Sequence, residues 1–135
     1  MIRIVDVYKS FGGNTVLRGV TLDVPAGQTT VVLGGSGSGK TVLMKHMIGL
    51  LRPDRGQVIV DGEELTSLDE AALDRVRRKF GMVFQAAALF DSMTVFENVA
   101  FPLREHRRMG EAEIARVVHE KLAVVGLRDV DHKYP

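Results

Sequence analysis

The chain has 135 residues, which suffice for one domain with a hydrophobic core, and its formal net charge is +1. Lysine and arginine are spread along the chain, so no nucleic-acid partner is expected, and the lack of cysteine excludes disulfides and thiolate metal sites. The start lacks the apolar stretch of a signal peptide, and no apolar run approaches the roughly 20 residues of a membrane span, so we expect a soluble cytosolic chain.

An antiparallel hairpin is predicted at the start of the chain. Apolar residues alternate at Ile2 and Ile4 and again over residues 16–24, with the turn Gly12-Gly13-Asn14 between them. After a second turn, the β-branched run at residues 29–33 is too short for a helix and predicts a buried strand.

A glycine-rich loop and a helix follow that predicted strand. The apolar spacing from Leu43 to Leu51 predicts a helix that residues 52–56 terminate. Residues 58–60 then predict a strand, and Asp61-Gly62 predicts the tight turn of a second hairpin.

Three helices and one further strand are predicted in the remainder. The spacing of Ser67 and Glu70 indicates a capping box that opens a helix to about residue 77, and residues 81–85 predict a second buried strand. Thr94 and Glu97 repeat the capping box, but Pro102 should break or kink the helix they begin. A last helix is predicted from about residue 111 to Gly126, before a tail with no element of its own. Its apolar face comprises Ile114, Val117, Val118, Leu122 and Val125.

The glycine loop has the composition of a triphosphate-binding loop. Only glycines let a backbone curl tightly enough to direct many N–H donors at phosphate oxygens, and the following helix adds its positive end. Lys40 can reach the β and γ phosphates, and the Thr41 hydroxyl can bind Mg²⁺. The predicted phosphate-binding residues are Gly34, Gly35, Ser36, Gly37, Ser38, Gly39, Lys40 and Thr41.

Three stretches of the chain resemble the nucleotide-binding domain of ABC transporters. They are Lys9-Ser10-Phe11-Gly12 with Val16, residues 17–22, and residues 49–56. The resemblance implies that Phe11 stacks on the adenine and that Val16 lines the base. The alternative is that Phe11 packs in the core or the hairpin, and Tyr8 is a rival for the stacking role.

Val83-Phe84-Gln85 is similar to the Q-loop of the same family. This resemblance implies that Gln85 reaches Mg²⁺ and the water near the γ phosphate and couples the site to a helical region. The alternative is a solvated glutamine at a strand end. Residues 81–106 resemble the ATPase of MCE-linked phospholipid transporters, the Mla or toluene-tolerance type.

The resemblance implies an α/β fold: a P-loop NTPase core of the ABC-ATPase type, an antiparallel β hairpin layer and the start of a helical subdomain, incomplete at the C-terminus. Residues 1–135 would form the N-terminal portion of a single ATP-binding domain, with about 86–135 entering the helical subdomain. ATP and Mg²⁺ are the implied ligands, with Thr41 and Gln85 at the metal. The implied location is the inner face of the cell membrane, held there by a permease.

Two partners are also implied. The full-length protein would form a homodimer, and an apolar cluster after Gln85 would form a groove for a helix of the permease. The alternative is burial of these side chains against the chain's own helices. The cluster comprises Ala86, Ala87, Ala88, Leu89, Phe90, Met93, Phe96, Phe101 and Leu103.

Parts that hydrolysis requires in this family are missing. No run of four apolar residues precedes Asp-Glu, and no Leu-Ser-Gly-Gly-Gln-like signature is present. Asp69-Glu70 is interpreted as a helix start, the four histidines are isolated, and Lys40 and Gln85 are supporting residues only. Two other interpretations stay open: a nucleotide-binding or docking fragment without turnover, and another P-loop kinase or GTPase, although the guanine reader Asn-Lys-x-Asp is absent.

Overall fold

The structure, a computed structural model, describes residues 1–84, 88–106 and 109–135, with only the backbone of His106. The chain divides into two compact units, a first unit of Met1–Met82 and a second unit of Val83–Pro135. The first unit contains a β-sheet with two helices, and the second contains a pair of helices.

The sheet of the first unit has four strands: β1 (Ile2–Phe11), β2 (Asn14–Val24), β3 (Arg55–Val60) and β4 (Glu63–Glu64). Their order is β2-β1-β3-β4, and all neighbours are antiparallel. Both predicted hairpins are confirmed, because β1 and β2 are joined at Gly12 and Gly13, and β3 and β4 at Asp61 and Gly62. The turn residues have positive φ angles, as tight hairpin turns require.

Two helices pack on this sheet: α1 (Lys40–Met47) and α2 (Glu70–Arg77). The side chains that fill the core come from the sheet, from both helices and from a short 3₁₀ helix, Leu65–Ser67. Burial of this apolar surface is the main stabilising contribution. The fully or nearly buried members include Ile4, Val7, Leu17, Leu43, Val58, Val60, Leu65, Leu73 and Val76.

Two predicted details of these helices are wrong. Helix α1 ends at Met47 rather than near Leu51, because Gly49 adopts a left-handed φ of 69° that stops the helix. Helix α2 is capped by Asp69, whose Oδ1 accepts from the Ala72 N–H at 2.8 Å, and the Ser67 hydroxyl instead donates to the Glu64 carbonyl. The interpretation of Asp69-Glu70 as a helix start is confirmed.

The second unit consists of α3 (Val95–His106) and α4 (Glu111–Val124), packed around Ala100 and three buried side chains of α4. The capping box at the start of α3 is confirmed by a 2.7 Å bond from the Thr94 N–H to Glu97 and a 3.2 Å bond from the Glu97 N–H to the Thr94 hydroxyl. The helix is not broken at Pro102. The predicted apolar face of α4 is confirmed from Ile114 to Leu122, but Val125 lies beyond the helix and is exposed.

The tail of the second unit carries no helix or strand, as predicted, but its backbone completes α3. The N–H groups of Val95 and Phe96, in the first turn of α3, donate to the carbonyls of Lys133 and Asp131 at 2.7 and 3.1 Å. These bonds satisfy donors that a helix start leaves without partners inside the helix.

The two predicted buried strands are wrong. Residues 29–33 and 81–84 form no strand within the described part of the chain, and residue 85 lies outside the described residues. Val31 and Leu33 are 70% and 87% exposed, and Val83 is 94% exposed. Apolar β-branched runs favour extended backbone, but a strand also needs neighbours that complete its hydrogen bonds.

Candidate phosphate-binding site

The glycine loop is an exposed turn that leads from residue 33 into α1. Gly37 and Gly39 have φ angles of 77° and 93°, which side chains other than glycine rarely adopt. A Cβ atom at Gly39 would lie 3.1 Å from a methyl of Val16, and one at Gly34 would lie 2.6 Å from the Ser38 hydroxyl oxygen. The loop therefore curls on itself and lies against β2 in a way that only glycines at these positions permit.

Lys40 closes the loop from the first residue of α1. Its ammonium donates to the carbonyls of Gly34 at 2.7 Å and Gly35 at 2.6 Å, and lies 3.4 Å from the Ser38 hydroxyl oxygen. A lysine ammonium has three donors, and these contacts hold it at the centre of the loop. The positive charge thus lies among the carbonyls of Gly34 and Gly35 and the Ser38 hydroxyl, next to the start of α1.

The start of α1 is open to an anion. Gly39 occupies the N-cap position and provides no side-chain acceptor, and the first turn carries no acidic residue. The N–H donors and positive dipole end of a helix then favour a bound negative group. Thr41 is exposed in the same turn.

Helix α1 is anchored beneath the loop by Leu43 and His46, both buried. The His46 ring donates from Nδ1 to the Val42 carbonyl at 2.7 Å, since a carbonyl can only accept. His46 is therefore a core residue of this helix.

The two residues predicted to contact the base have different surroundings. Val16 is half-buried in the first unit and lies against Gly39, so the structure brings it to the phosphate loop. Phe11 is 45% exposed, so burial in the core does not explain this aromatic residue. Tyr8 is half-buried, and the guanidinium of Arg55 lies 5.3 Å from its ring centroid.

Gln85, predicted as the second metal and coupling residue, lies outside the described residues. Within the ranges that the structure describes, no group of three or more histidine and acidic side chains could hold a metal ion. The side-chain oxygens of residues 34–41 are the hydroxyls of Ser36, Ser38 and Thr41. A hydroxyl fits Mg²⁺ in a site where the metal's other oxygen ligands come from phosphates and water.

Sequence reasoning missed Asp54, which binds three residues of β1. Its carboxylate accepts from the Lys9 ammonium and from the Ser10 N–H, each at 2.7 Å, and its own N–H donates to the Tyr8 carbonyl at 2.9 Å. Asp54 is 44 residues from Ser10, and no local pattern connects them.

The apolar cluster predicted to meet a permease is partly exposed. Leu89, Phe90 and Phe101 are 52%, 47% and 38% exposed, and the rings of Phe90 and Phe101 lie 5.1 Å apart. Phe96 and Leu103 instead pack against the core of the second unit, so burial accounts for these two. Ala86 and Ala87 lie outside the described residues. A cavity of about 160 Å³ beside Phe101 is lined by Met93, Glu97, Phe101, Arg104 and Glu105.

None of the helices within the described ranges has the length and apolar character needed to cross a membrane.

A curled glycine loop, closed by a lysine and followed by an uncapped helix, defines a phosphate-loop nucleotide-binding protein. The family model described as ABC transporter matches residues 17–135. The chain belongs to the ABC transporter family.

Several curated relatives match nearly the whole chain. It is 46% identical over 134 residues to the probable ribonucleotide transport ATP-binding protein mkl of Mycobacterium leprae, covering 99% of this chain and 39% of that protein. It is 43% identical to protein TRIGALACTOSYLDIACYLGLYCEROL 3, chloroplastic, of Arabidopsis thaliana, covering 100% and 39%. The intermembrane phospholipid transport system ATP-binding protein MlaF of Escherichia coli K12 is 40% identical over 123 residues, covering 91% and 46%. The chain thus spans less than half of each relative.

Solved structures confirm the predicted fold class. The chain matches the dimeric post-hydrolysis structure of the ATP-binding cassette MJ0796 bound to ADP and Pi with a TM-score of 0.88 and 30% identity. The match covers 100% of this chain and 62% of the cassette. The predicted P-loop fold of the ABC-ATPase type is therefore correct, although the described residues contribute only its antiparallel sheet and helices.

Proposed function

We propose that the chain binds MgATP on residues 34–41, as part of the ATP-binding subunit of an ABC transporter that moves phospholipid. The observation that carries this proposal is the Lys40 ammonium, held by the Gly34 and Gly35 carbonyls beside the uncapped start of α1. A phosphate there would accept from the ammonium, the loop N–H groups and the helix N-terminus together. We further propose that residues 1–135 belong to a single ATP-binding domain, with about 86–135 in its helical part.

Each site residue has a distinct role in this proposal. Lys40 binds the β and γ phosphates, and the hydroxyl of Thr41 and the side chain of Gln85 would hold Mg²⁺, which neutralises charge on the phosphates. The exposed ring of Phe11 stacks on the purine, and Val16 lines the base. Stacking involves no hydrogen-bond readout, so discrimination between purines should be weak.

Titration calorimetry tests the phosphate loop. Lys40→Ala should weaken MgATP and MgADP binding by roughly tenfold or more, because it removes a charged hydrogen-bond donor. Lys45→Ala is the matched control, since Lys45 is an exposed lysine in the last turn of the same helix. Equal affinity of Lys40→Ala and the unchanged chain would remove the phosphate-loop proposal.

The 135-residue chain should bind ATP without turning it over above background. Binding would position the phosphates, but hydrolysis also needs an activated water and a second metal-binding acid. Without them, most of the activation barrier to ATP hydrolysis remains. Phosphate release from the purified chain measures this. Turnover that Lys40→Ala abolishes would mean that a catalytic carboxylate has been overlooked.

The proposed cargo is phospholipid, supported by the 40% identity to a relative whose name specifies phospholipid transport. Another relative is named for ribonucleotide transport, so the two cargoes need a direct comparison. In vesicles containing the complete transporter, ATP should drive transfer of a labelled phospholipid and should not drive uptake of a labelled ribonucleotide. The reverse result would reject the phospholipid proposal.

The proposed partners are a second ATPase subunit, in the full-length protein, and a membrane permease that contacts residues 86–103. Binding to the permease would hold the protein at the inner face of the membrane. Exposed Leu89, Phe90 and Phe101 support an apolar docking surface, because large apolar side chains clustered on a surface favour association.

Charge substitutions test that surface. Leu89→Glu or Phe90→Glu should reduce co-purification of the whole subunit with its permease while ATP affinity stays unchanged. Val124→Glu is the control, since Val124 is 82% exposed and belongs to α4 of the same unit. Full recovery of the permease with both cluster variants would defeat this proposal.

A further inference from the structure

The hydrogen bonds of Asp54 extend the pairing of β1 and β3 beyond the end of their ladder. The register of these strands ends at the pair Tyr8 and Arg55. Past that pair, the Asp54 N–H donates to the Tyr8 carbonyl at 2.9 Å, and Asp54 Oδ2 accepts from the Ser10 N–H at 2.7 Å. The Asp54 carboxylate thus accepts the β1 hydrogen bond that a further residue of β3 would otherwise accept. The last part of β1 therefore stays fixed to the segment before β3.

The same carboxylate fixes the side chain of Lys9. Asp54 Oδ1 accepts from the Lys9 ammonium at 2.7 Å, and the Arg52 carbonyl accepts from the same ammonium at 2.9 Å. The Lys9 side chain is only 16% exposed, although lysine side chains are usually solvated. Two acceptors on one segment therefore hold this ammonium in one place.

The fixed ammonium lies over the ring of Phe11. Its nitrogen is 5.5 Å from the ring centroid, within the range of a cation–π interaction. Phe11 is nonetheless 45% exposed, so part of the ring is left open for another partner. A chain of contacts thus runs from Asp54 through Lys9 to Phe11, the aromatic residue at the end of β1.

We propose that Asp54 is a positioning residue for purine binding, which holds the end of β1 and, through Lys9, the ring orientation that Phe11 presents to the base. This inference rests on the proposed stacking role of Phe11. The hydrogen bonds found for Asp54 among the described residues all go to β1 and none to residues 34–41, so its effect on affinity should depend on the base and not on the phosphates. The carboxylate acts in its charged form, and the hydrogen bonds from Lys9 and from the Ser10 N–H lower the pKa of Asp54.

The experiment compares the affinity for ATP with that for inorganic tripolyphosphate, each with Mg²⁺, by calorimetry on the purified chain. Asp54→Asn keeps the shape but replaces one acceptor oxygen with a donor, so it cannot keep both bonds. We expect ATP affinity to fall about fivefold, as for loss of one stacking contact, and tripolyphosphate affinity to stay unchanged. Asp23→Asn is the control, since Asp23 is an exposed, ion-paired acid of the same sheet.

Two further variants separate positioning from a general effect on folding. Lys9→Met keeps the apolar stem and removes only the ammonium, so it should give the same loss of affinity for ATP but not for tripolyphosphate. It replaces Asp54→Asn in the comparison if that variant does not fold. Combining Asp54→Asn with Phe11→Ala should cost no more than Phe11→Ala alone, because both changes remove the same contact.

The outcomes distinguish this inference from the proposed function. If Phe11→Ala leaves ATP affinity unchanged, the stacking role itself is wrong. If Phe11→Ala weakens ATP binding but Asp54→Asn and Lys9→Met do not, the positioning role is overturned. Equal losses for ATP and tripolyphosphate would also overturn it, because Asp54 would then support the phosphate loop or the whole fold.

Discussion

Gly39 has two functions at one position of the phosphate loop. Its φ of 93° lets the chain turn from the loop into α1, and its missing side chain lets the loop lie against Val16 and Leu17 of β2. A Cβ atom there would lie 3.1 Å from a Val16 methyl and 3.2 Å from a Leu17 methyl. The loop is thus positioned by packing on the sheet as well as by its own hydrogen bonds.

Gly39→Ala should therefore weaken both the fold and nucleotide binding. A left-handed backbone costs an L-residue about 1–2 kcal/mol, and the close methyl groups add to that cost. We expect a lower unfolding free energy in urea and a lower MgATP affinity by calorimetry. Gly81→Ala is the control, because Gly81 has no positive φ and nothing lies within 4 Å of its Cβ position. Equal behaviour of the two variants would show that the contact with β2 is unimportant.

The start of α3 is held by side chains that bond back to the backbone. Asn98 Oδ1 accepts from the Phe90 N–H at 2.8 Å, and its amide nitrogen lies 3.0 Å from the carbonyls of Phe90, Met93 and Thr94. One side chain thus closes the turn at residues 90–94 onto the first turn of the helix. The turn's exposed aromatic residue, Phe90, is placed by these same bonds.

Asn98→Ala should destabilise the second unit by about 1–3 kcal/mol, because the Phe90 N–H loses its side-chain acceptor and the side-chain amide no longer donates to the carbonyls around it. Amide hydrogen exchange measures the effect: protection should fall in α3 and stay unchanged in α1, which belongs to the first unit. Arg116→Ala is the control, since it breaks only an exposed ion pair within α4. An unchanged exchange rate across α3 would contradict the prediction.

The capping box makes the stability of α3 depend on pH. Its hydrogen bond from the Thr94 N–H lowers the pKa of Glu97 below the ordinary 4.5, with smaller contributions from the Thr94 side chain and from Arg104. A lowered pKa stabilises the fold above the unfolded value, and this contribution is lost as the pH falls through the folded value. The unfolding free energy should therefore decrease as the pH falls below about 4.5, the ordinary pKa of a glutamate.

Glu97→Gln tests this assignment, because glutamine keeps a capping acceptor but does not titrate. Part of the acid dependence of unfolding should disappear in this variant. The remainder is expected to come from other carboxyl groups, among them Glu111, whose pKa is lowered by its hydrogen bond with Arg104. Identical pH profiles for the two proteins would reject the role of Glu97.

At the scale of the whole molecule, the elements that were predicted correctly are those whose determinants lie close together in the sequence. The hairpin of the first 24 residues, the glycine turn before α1 and the apolar face of α4 as far as Leu122 are each determined by residues close together in the sequence, and the structure confirms these three elements. The cap of α2 was missed because Ser67 and Asp69 both suit an N-cap, and only the fold decides between them. Asp54 was missed because its partners are 44 and 45 residues away.

The run at residues 29–33 shows why a strand cannot be predicted from its own residues alone. Thr29 to Leu33 have the composition of a buried strand, yet a buried strand needs a neighbour on each edge and a cover on each face. The described residues form no strand with it, and the chain spans 62% of the solved cassette that it matches. The composition of residues 29–33 therefore predicts a strand whose neighbouring strands are not found among the described residues.

The last prediction is that the purified 135-residue chain associates with itself through this run. An exposed, uncharged, β-branched segment without proline can pair with another copy, and Val31 and Leu33 are 70% and 87% exposed. Sedimentation velocity should show oligomers that increase with concentration, and Val31→Lys should reduce them. Val124→Lys should not, because Val124 is as exposed but its backbone is bonded within α4. Oligomers that survive Val31→Lys unchanged would place the association on another surface.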